Sequence, residues 1–263
     1  MAELRPVEGP EDPRVADFVG LRGRSAEADC GWLVAEGPLV VRQLLASDYP
    51  LRSILVTERG LRALAPELEA LDGPVLVADQ SVLDAVCGFH FHRGALASAD
   101  RRPLPHVASV ATDADLLLLV EGVNDHENLG ALFRNAAAFG VDAVVLDATC
   151  ADPLYRRSVR VSMGHVLRLP FTRVADWPSA LPMLRELGFE TVALTPAADA
   201  ENVGGLAPRR KRALLVGSEG PGLTAAALAA ADRRVRVPIA PGVDSLNVAT
   251  AAAVALHRLA PPR

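Results

Sequence analysis

Lysine is almost absent from this sequence, and aromatic residues are few. One Lys stands against 26 Arg, and Trp, Tyr and Phe together number 11 among 263 residues. So few rings exclude an aromatic stacking platform for single-stranded nucleic acid. A basic excess is missing too. The net charge is −5, which excludes a protein that coats nucleic acid by bulk attraction. No apolar run reaches the roughly 18 uncharged residues of a membrane helix; the longest, Asp115–Val120 and Val248–Leu256, are core-sized. The stretch Met1–Pro13 is acidic and proline-bearing, which is not the pattern of a signal peptide. The three cysteines, Cys30, Cys87 and Cys150, lie far apart without metal-ligand spacing. They read as reduced thiols of a cytoplasmic protein, and no metal is expected.

Half of the chain is apolar and 22% is charged, a balance that supplies a sizeable core and excludes disorder, collagen-like repetition and a disulfide scaffold. Its length suits one large domain or two ordinary ones of about 150 residues. Charge is unevenly spread. Residues 1–106 hold 11 Arg and 16 acids, whereas residues 107–263 are neutral overall and contain two basic knots. The first is Arg156, Arg157, Arg160 and Arg168; the second is Arg209, Arg210, Lys211 and Arg212. Each reads either as a solvated face or as a contact to nucleic acid.

Alternating patterns predict two α/β domains, 1–106 and 107–263, joined near the proline-bearing segment 101–106. In the first, strands are expected at Trp32–Glu36, Leu51–Val56 and Pro74–Ala78, and helices at Pro38–Ala46, Glu58–Leu71 and Ser81–Val86. In the second, the aliphatic runs Leu116–Val120, Ala143–Leu146, Thr191–Leu194, Ala213–Val216 and Val235–Ile239 read as strands buried on both faces. Helical patterns follow at Leu129–Phe139, Ser158–Leu167, Ser179–Leu187, Thr224–Ala231 and Leu246–Leu256. The expected architecture is a mostly parallel sheet with helices on both faces.

Open parallel sheets bind ligands beyond the C-terminal strand ends, and three such ends carry residues that a core does not need. In Glu121–Arg134, Asn128 or Asp125 suits the cap of the next helix, and Gly130 and Ala131 let another backbone come close. In Val216–Leu223 a buried strand runs into three glycines, whose bare amides suit a ligand, while the carboxylate of Glu219 favours a ligand with donors over a phosphate. The glycine spacing is neither a P-loop nor a dinucleotide fingerprint, which weighs against a nucleotide-dependent oxidoreductase. In Val237–Thr250, Ser245 is a natural N-cap for a helix that is apolar on nearly every face and so must be buried all round.

These residues resemble the SpoU-type RNA ribose 2′-O-methyltransferases. Asn-x-Gly-Ala-x-x-Arg-x-Ala is matched at Asn128, Gly130, Ala131, Arg134 and Ala136. Gly-x-Glu-x-x-Gly-Leu is matched at Gly217, Glu219, Gly222 and Leu223, and Pro followed by Ser-Leu-Asn-Val at Pro238 and Ser245 to Val248. His126 stands where the family often has proline. The resemblance covers residues 113–263; residues 1–106 are similar in pattern to the ribosomal-protein-like RNA-binding domain that many members carry.

The resemblance implies a deep trefoil knot in the C-terminal domain, with S-adenosylmethionine held by Leu194, Thr195, Gly217, Val237, Ile239 and Leu246. It implies methyl transfer to a ribose hydroxyl of RNA, ribosomal rather than transfer RNA given the large N-terminal domain. Arg134 is assigned to the hydroxyl as base or phosphate clamp, and Asn128, Glu219, Ser245 and Asn247 orient it and the ribose. A guanidinium keeps its proton above pH 12 or so, which favours the clamp. Arg156, Arg157, Arg160, Arg209, Arg210 and Lys211 are the expected RNA contacts. A homodimer through the C-terminal domain, with Arg134 of one chain serving the cofactor of the other, follows from the apolar helix and from the family. The alternative is an RNA-binding or ribosome-assembly factor with the same fold and no catalysis. His90 and His92 alternate on an extended segment without an evident third metal ligand.

Overall fold

The computed structural model of the chain describes residues 3–21, 31–175, 177–207 and 209–260; Cys30 lies outside them. Local sequence explains where most elements begin and end. The first part of the chain forms β1 (Glu3–Pro6), β2 (Trp32–Glu36), α1 (Pro38–Leu45), β3 (Leu51–Val56), α2 (Glu58–Ala63), α3 (Ala65–Glu69), β4 (Pro74–Val77), α4 (Gln80–Cys87) and β5 (Ala95–Asp100). The helix expected over 58–71 breaks in two because Pro66, in the first turn of α3, has no N–H with which to continue α2. Strand β5 escapes a sequence reading because Ala-Leu-Ala-Ser-Ala-Asp lacks β-branched and aromatic residues, yet all of it but Asp100 is buried. The five strands lie in the order β1-β4-β3-β5-β2, with β1, β4 and β3 parallel and β5 antiparallel to both β3 and β2. Phe18, Leu55, Leu76, Leu83 and Leu96 centre the core on one face.

The chain continues through α5 (Val107–Ala111), β6 (Leu116–Val120), α6 (His126–Ala138), β7 (Ala143–Asp147), α7 (Arg156–Val161), β8 (Phe171–Val174) and α8 (Trp177–Glu186). It ends with β9 (Glu190–Leu194), β10 (Glu201–Asn202), β11 (Arg212–Val216), α9 (Ala225–Ala230), β12 (Arg233–Arg236) and α10 (Val248–Leu259). Seven strands form one wholly parallel sheet in the order β10-β12-β9-β11-β6-β7-β8. Leu117, Leu119, Val145, Ala193 and Leu215 pack on α5, α8 and α9, while Leu118, Val144 and Leu214, pointing the opposite way by strand alternation, are equally buried. This two-sided burial is why these strands read as continuous aliphatic runs.

Contacts divide the chain into two compact units, Met1–Arg102 with Leu154–Arg168, and Pro103–Pro153 with Leu169–Arg263. The segment 154–168 was expected in the second domain, but its packing partners are in the first. Electrostatics accounts for this: Glu36, 3% exposed at the end of β2, is neutralised by Arg156 at 2.8 Å and Arg160 at 3.4 Å. The helix expected to run to Leu167 ends at Val161, because Met163 and Gly164 turn left-handed, with φ of 54° and 80°.

Two corrections concern the C-terminal turn. The strand expected over 235–239 stops at Arg236, since Pro238 has no N–H for the ladder. The last helix starts at Val248, capped by Asn247 and not by Ser245: the Asn247 Oδ1 accepts from the amides of Ala249 and Thr250 at 3.0 and 3.2 Å.

Candidate active site

Strands β9, β11 and β12 end together at one edge of the parallel sheet, and their C-terminal turns enclose a cavity of about 450 Å³ with the 245–251 segment. That volume suits a small organic ligand. Leu194, Thr195, Gly217, Val237, Ile239 and Leu246, the six residues expected around a cofactor, all line it, as do Glu219, Ser245 and Asn247. Arg236, Pro196 and Ser218 line it too. Sequence reading missed Arg236 because it falls inside an apparent strand; its position just ahead of Pro238 was the available signal.

Gly217 is required by the loop's own closure. A side chain there would come within 2.3 Å of the Gly222 carbonyl carbon and 2.4 Å of the Leu223 nitrogen. Glycine thus permits the loop to close on itself, with Ser218 bridging Gly222. Gly220 and Gly222 turn the loop at φ of 84° and 70°.

Three candidate residues from three distant segments meet at one amide. The Asn247 Nδ2 donates to Asn128 Oδ1 at 2.7 Å and to Glu219 Oε1 at 2.8 Å. Asn128 is available for this because Asp125 caps α6, accepting from the amides of Glu127 and Asn128 at 2.9 and 2.8 Å. Asn135 adds a second tie, donating to the Ala249 carbonyl at 2.8 Å and holding α6 against α10. Behind the loop, buried Glu121 accepts from both the amide and the hydroxyl of Thr224 at 2.8 Å, fixing the start of α9. Ser245 faces the cavity but is exposed and belongs to no cap. Arg134 stands exposed on α6 and is not part of the wall of this cavity.

The strand end at β7, two strands along from β11, is held for structure. Asp147 is buried and accepts from Thr149 and Cys150. Burial opposes its ionisation, but these hydrogen bonds outweigh burial and hold its carboxyl below the usual range. Arg173 clasps the same loop, donating to the carbonyls of Asp147, Ala148, Cys150 and Ala151 at 2.8 to 3.0 Å. Burial pushes the thiols of Cys87 and Cys150 up to about 12, which removes both as nucleophiles.

Several of the basic residues expected to hold RNA also pair within the chain. Arg156 and Arg160 neutralise Glu36; Arg157 is exposed on the same helix. Arg209, Arg210 and Lys211 precede β11, so they lie at the N-terminal end of a parallel strand about 17 Å long, away from the cavity. Arg210 pairs with Asp115 at 3.1 Å, Arg209 lies 3.8 Å from Glu190, and Lys211 donates to the carbonyls of Thr112 and Leu187. Among the described residues no group of three or more His, Cys, Asp or Glu is placed to hold a metal, and no helix is long and apolar enough to cross a membrane.

Comparison with known proteins gives consistent matches. A model of the SpoU rRNA Methylase family matches residues 115–257. An uncharacterised tRNA/rRNA methyltransferase of Mycobacterium tuberculosis is 48% identical over 263 residues, which cover 97% of this chain and 91% of that one. The 23S rRNA (guanosine(2553)-2′-O)-methyltransferase of Bacillus subtilis is 28% identical, covering 97% of this chain and 99% of its own. Among solved structures, an AdoMet-bound rRNA methyltransferase from Sinorhizobium meliloti superposes with a TM-score of 0.81 at 24% identity, over 97% of each chain, and shares the fold.

Proposed function

The chain belongs to the SpoU rRNA Methylase family, and from that premise we propose that it methylates a ribose 2′-hydroxyl of structured RNA, ribosomal RNA in preference to transfer RNA. It is an RNA methyltransferase that uses S-adenosylmethionine. The observation that carries the reading is the single amide of Asn247, which joins Asn128 and Glu219 beside the strand-end cavity.

The cavity suits the cofactor chemically. Its walls are largely aliphatic and backbone, with one carboxylate, Glu219, and one guanidinium, Arg236, the latter suited to the carboxylate of an amino-acid moiety. When bound, S-adenosylmethionine supplies an electrophilic methyl group on a sulfonium sulfur. The chain's own work is to position the ribose for in-line attack, where alignment sets much of the barrier. Glu219 keeps one carboxylate oxygen beyond its bond to Asn247, and that oxygen is an acceptor for a hydroxyl. Arg134 clamps the RNA beside the attacking hydroxyl, because a guanidinium does not release its proton at neutral pH.

The active unit is a homodimer formed through the second unit, with Arg134 of one chain completing the cavity of the other. Two features favour this. Arg134 lies outside its own chain's cavity wall, and the C-terminal turn and helix leave Val243, Leu246 and Val254 52, 36 and 41% exposed, an apolar surface that a second copy covers. Family membership further supports a deep trefoil knot in this unit and RNA binding by the first.

The test is methyl incorporation from tritiated S-adenosylmethionine into unmodified large-subunit ribosomal RNA and into transfer RNA, followed by alkaline hydrolysis. A 2′-O-methyl removes the nucleophile of alkaline cleavage, so label is expected in alkali-resistant dinucleotides of the ribosomal RNA. Label in mononucleotides would overturn the ribose assignment, and label in transfer RNA alone would overturn the substrate preference. A protein that binds cofactor and RNA but transfers nothing would be the non-catalytic factor.

A further inference from the structure

The first unit holds a second cavity, of about 350 Å³, that plays no part in the site above. Arg59, Arg93, Arg160 and His92 line it, and Glu36 is the one carboxylate in its wall. Glycines build it. A side chain on Gly60 would meet the Gly94 carbonyl oxygen at 1.9 Å, and the Thr57 amide donates to that same oxygen at 2.9 Å. The start of α2 is thereby locked onto the turn before β5, which sets Arg59 and Arg93, each the residue preceding one of these glycines, on one rim. The stem of Arg93 lies along Gly37, where a side chain would sit 3.5 Å from it and where φ is 89°. Gly164 lets the end of the 154–168 segment rest on α1: a side chain there would come within 2.7 Å of Gln43.

Charge gives this shape its meaning. Glu36 is already neutralised by Arg156 and Arg160. Among the described residues Arg59 and Arg93 form no hydrogen bond or ion pair, and both are exposed. Three guanidiniums, those of Arg59, Arg93 and Arg160, therefore line the cavity with one carboxylate that is already paired. A cationic rim of this kind fits an anion, and the planar fork of Arg matches phosphate oxygens two at a time. No Phe, Tyr or Trp lines the cavity to stack a base, so it suits a backbone phosphate better than a nucleotide.

We propose that this cavity is a phosphate-backbone site for the RNA substrate, with Arg59 and Arg93 as its two direct contacts; this rests on the reading that the chain modifies RNA. Contacts of this kind fix register and orientation without reading bases. They would let the first unit grip RNA while the second does chemistry.

The test uses the full chain, the Arg59→Gln/Arg93→Gln double variant and the Arg59→Lys/Arg93→Lys double variant. Each is titrated against a labelled fragment of unmodified large-subunit ribosomal RNA across a salt series. Losing two phosphate contacts should flatten the slope of log K against log salt by about 1.4 to 1.8. The Lys variant should keep the slope. In the Gln variant KM for RNA should rise while kcat at saturating RNA and cofactor affinity stay at the wild-type value. A wild-type slope and affinity in the Gln variant would overturn the proposal. So would a site that binds inorganic phosphate, loses it in the Gln variant, and leaves RNA binding intact; that result marks a small-anion site. Wild-type chain that neither binds nor methylates RNA would instead bring down the proposed function beneath it.

Discussion

Asn247 uses every polar atom of its side chain: two N–H groups for Asn128 and Glu219, and one oxygen for two amides of α10. Its replacement therefore separates two roles. Asn247→Asp keeps the cap but sets a second carboxylate against Glu219, so methyl transfer should fall by at least tenfold with little loss of helix stability. Asn247→Ala loses the cap as well, costing about 1 kcal/mol; steady-state kinetics and thermal melts of both variants check the split. At the two buried thiols the expected result is silence. With both raised to about 12, Cys87 and Cys150 should resist iodoacetamide at pH 8 in the native protein and react once it is unfolded, as peptide mapping would show.

At the scale of elements, arginine mostly staples segments together. Arg156 joins α7 to the end of β2 through a carboxylate that is almost fully buried. Arg156→Ala would leave that charge to Arg160 alone, and should destabilise the first unit by on the order of 3 kcal/mol, read from denaturant melts. In the second unit Asp232 ties the approach to β12 onto β9 and α8, accepting from the amide and hydroxyl of Thr191 and from Arg185. Burial opposes its charge, but bonds from Thr191 and Arg185 prevail and hold its carboxyl below the usual carboxylate range. A lowered folded value stabilises above the unfolded one and is lost as pH falls through the folded one. The stability gap between wild type and Asp232→Asn should thus be full at neutral pH and close below about pH 4, which melts across an acid series would reveal.

For the whole molecule, the shared-site dimer has a quantitative signature. An Arg134→Ala chain has an intact cavity, and an Ala251→Trp chain, with its cavity filled, has an intact Arg134. Each alone should be inactive. Mixed in equal amounts and allowed to exchange, they should recover about one quarter of wild-type activity, because half the dimers are mixed and each keeps one of two sites. No recovery, with exchange shown by labelled subunits, would place Arg134 in the service of its own chain.

Much of the second unit is legible in the amino-acid order alone. Four of its strands read nearly to the residue because burial on both faces leaves a continuous aliphatic signature, and the turns beyond them stand out as glycine, asparagine and acid where a core needs none. These are properties of short segments, and a sequence determines them directly. Pairing between distant segments is different. Asp125 or Asn128 would serve equally as a cap by spacing; that Asp125 took the role left the Asn128 side chain to meet Asn247 across 119 residues. The partners of the basic knots were hidden for the same reason. Charge density along a chain says nothing of partners, and only packing set Arg156 on Glu36, 120 residues away, and Arg210 on Asp115, 95 away. The sequence by itself determined the layers and the edge where chemistry gathers; the tertiary structure decided which polar groups are spent holding that edge together and which remain to bind.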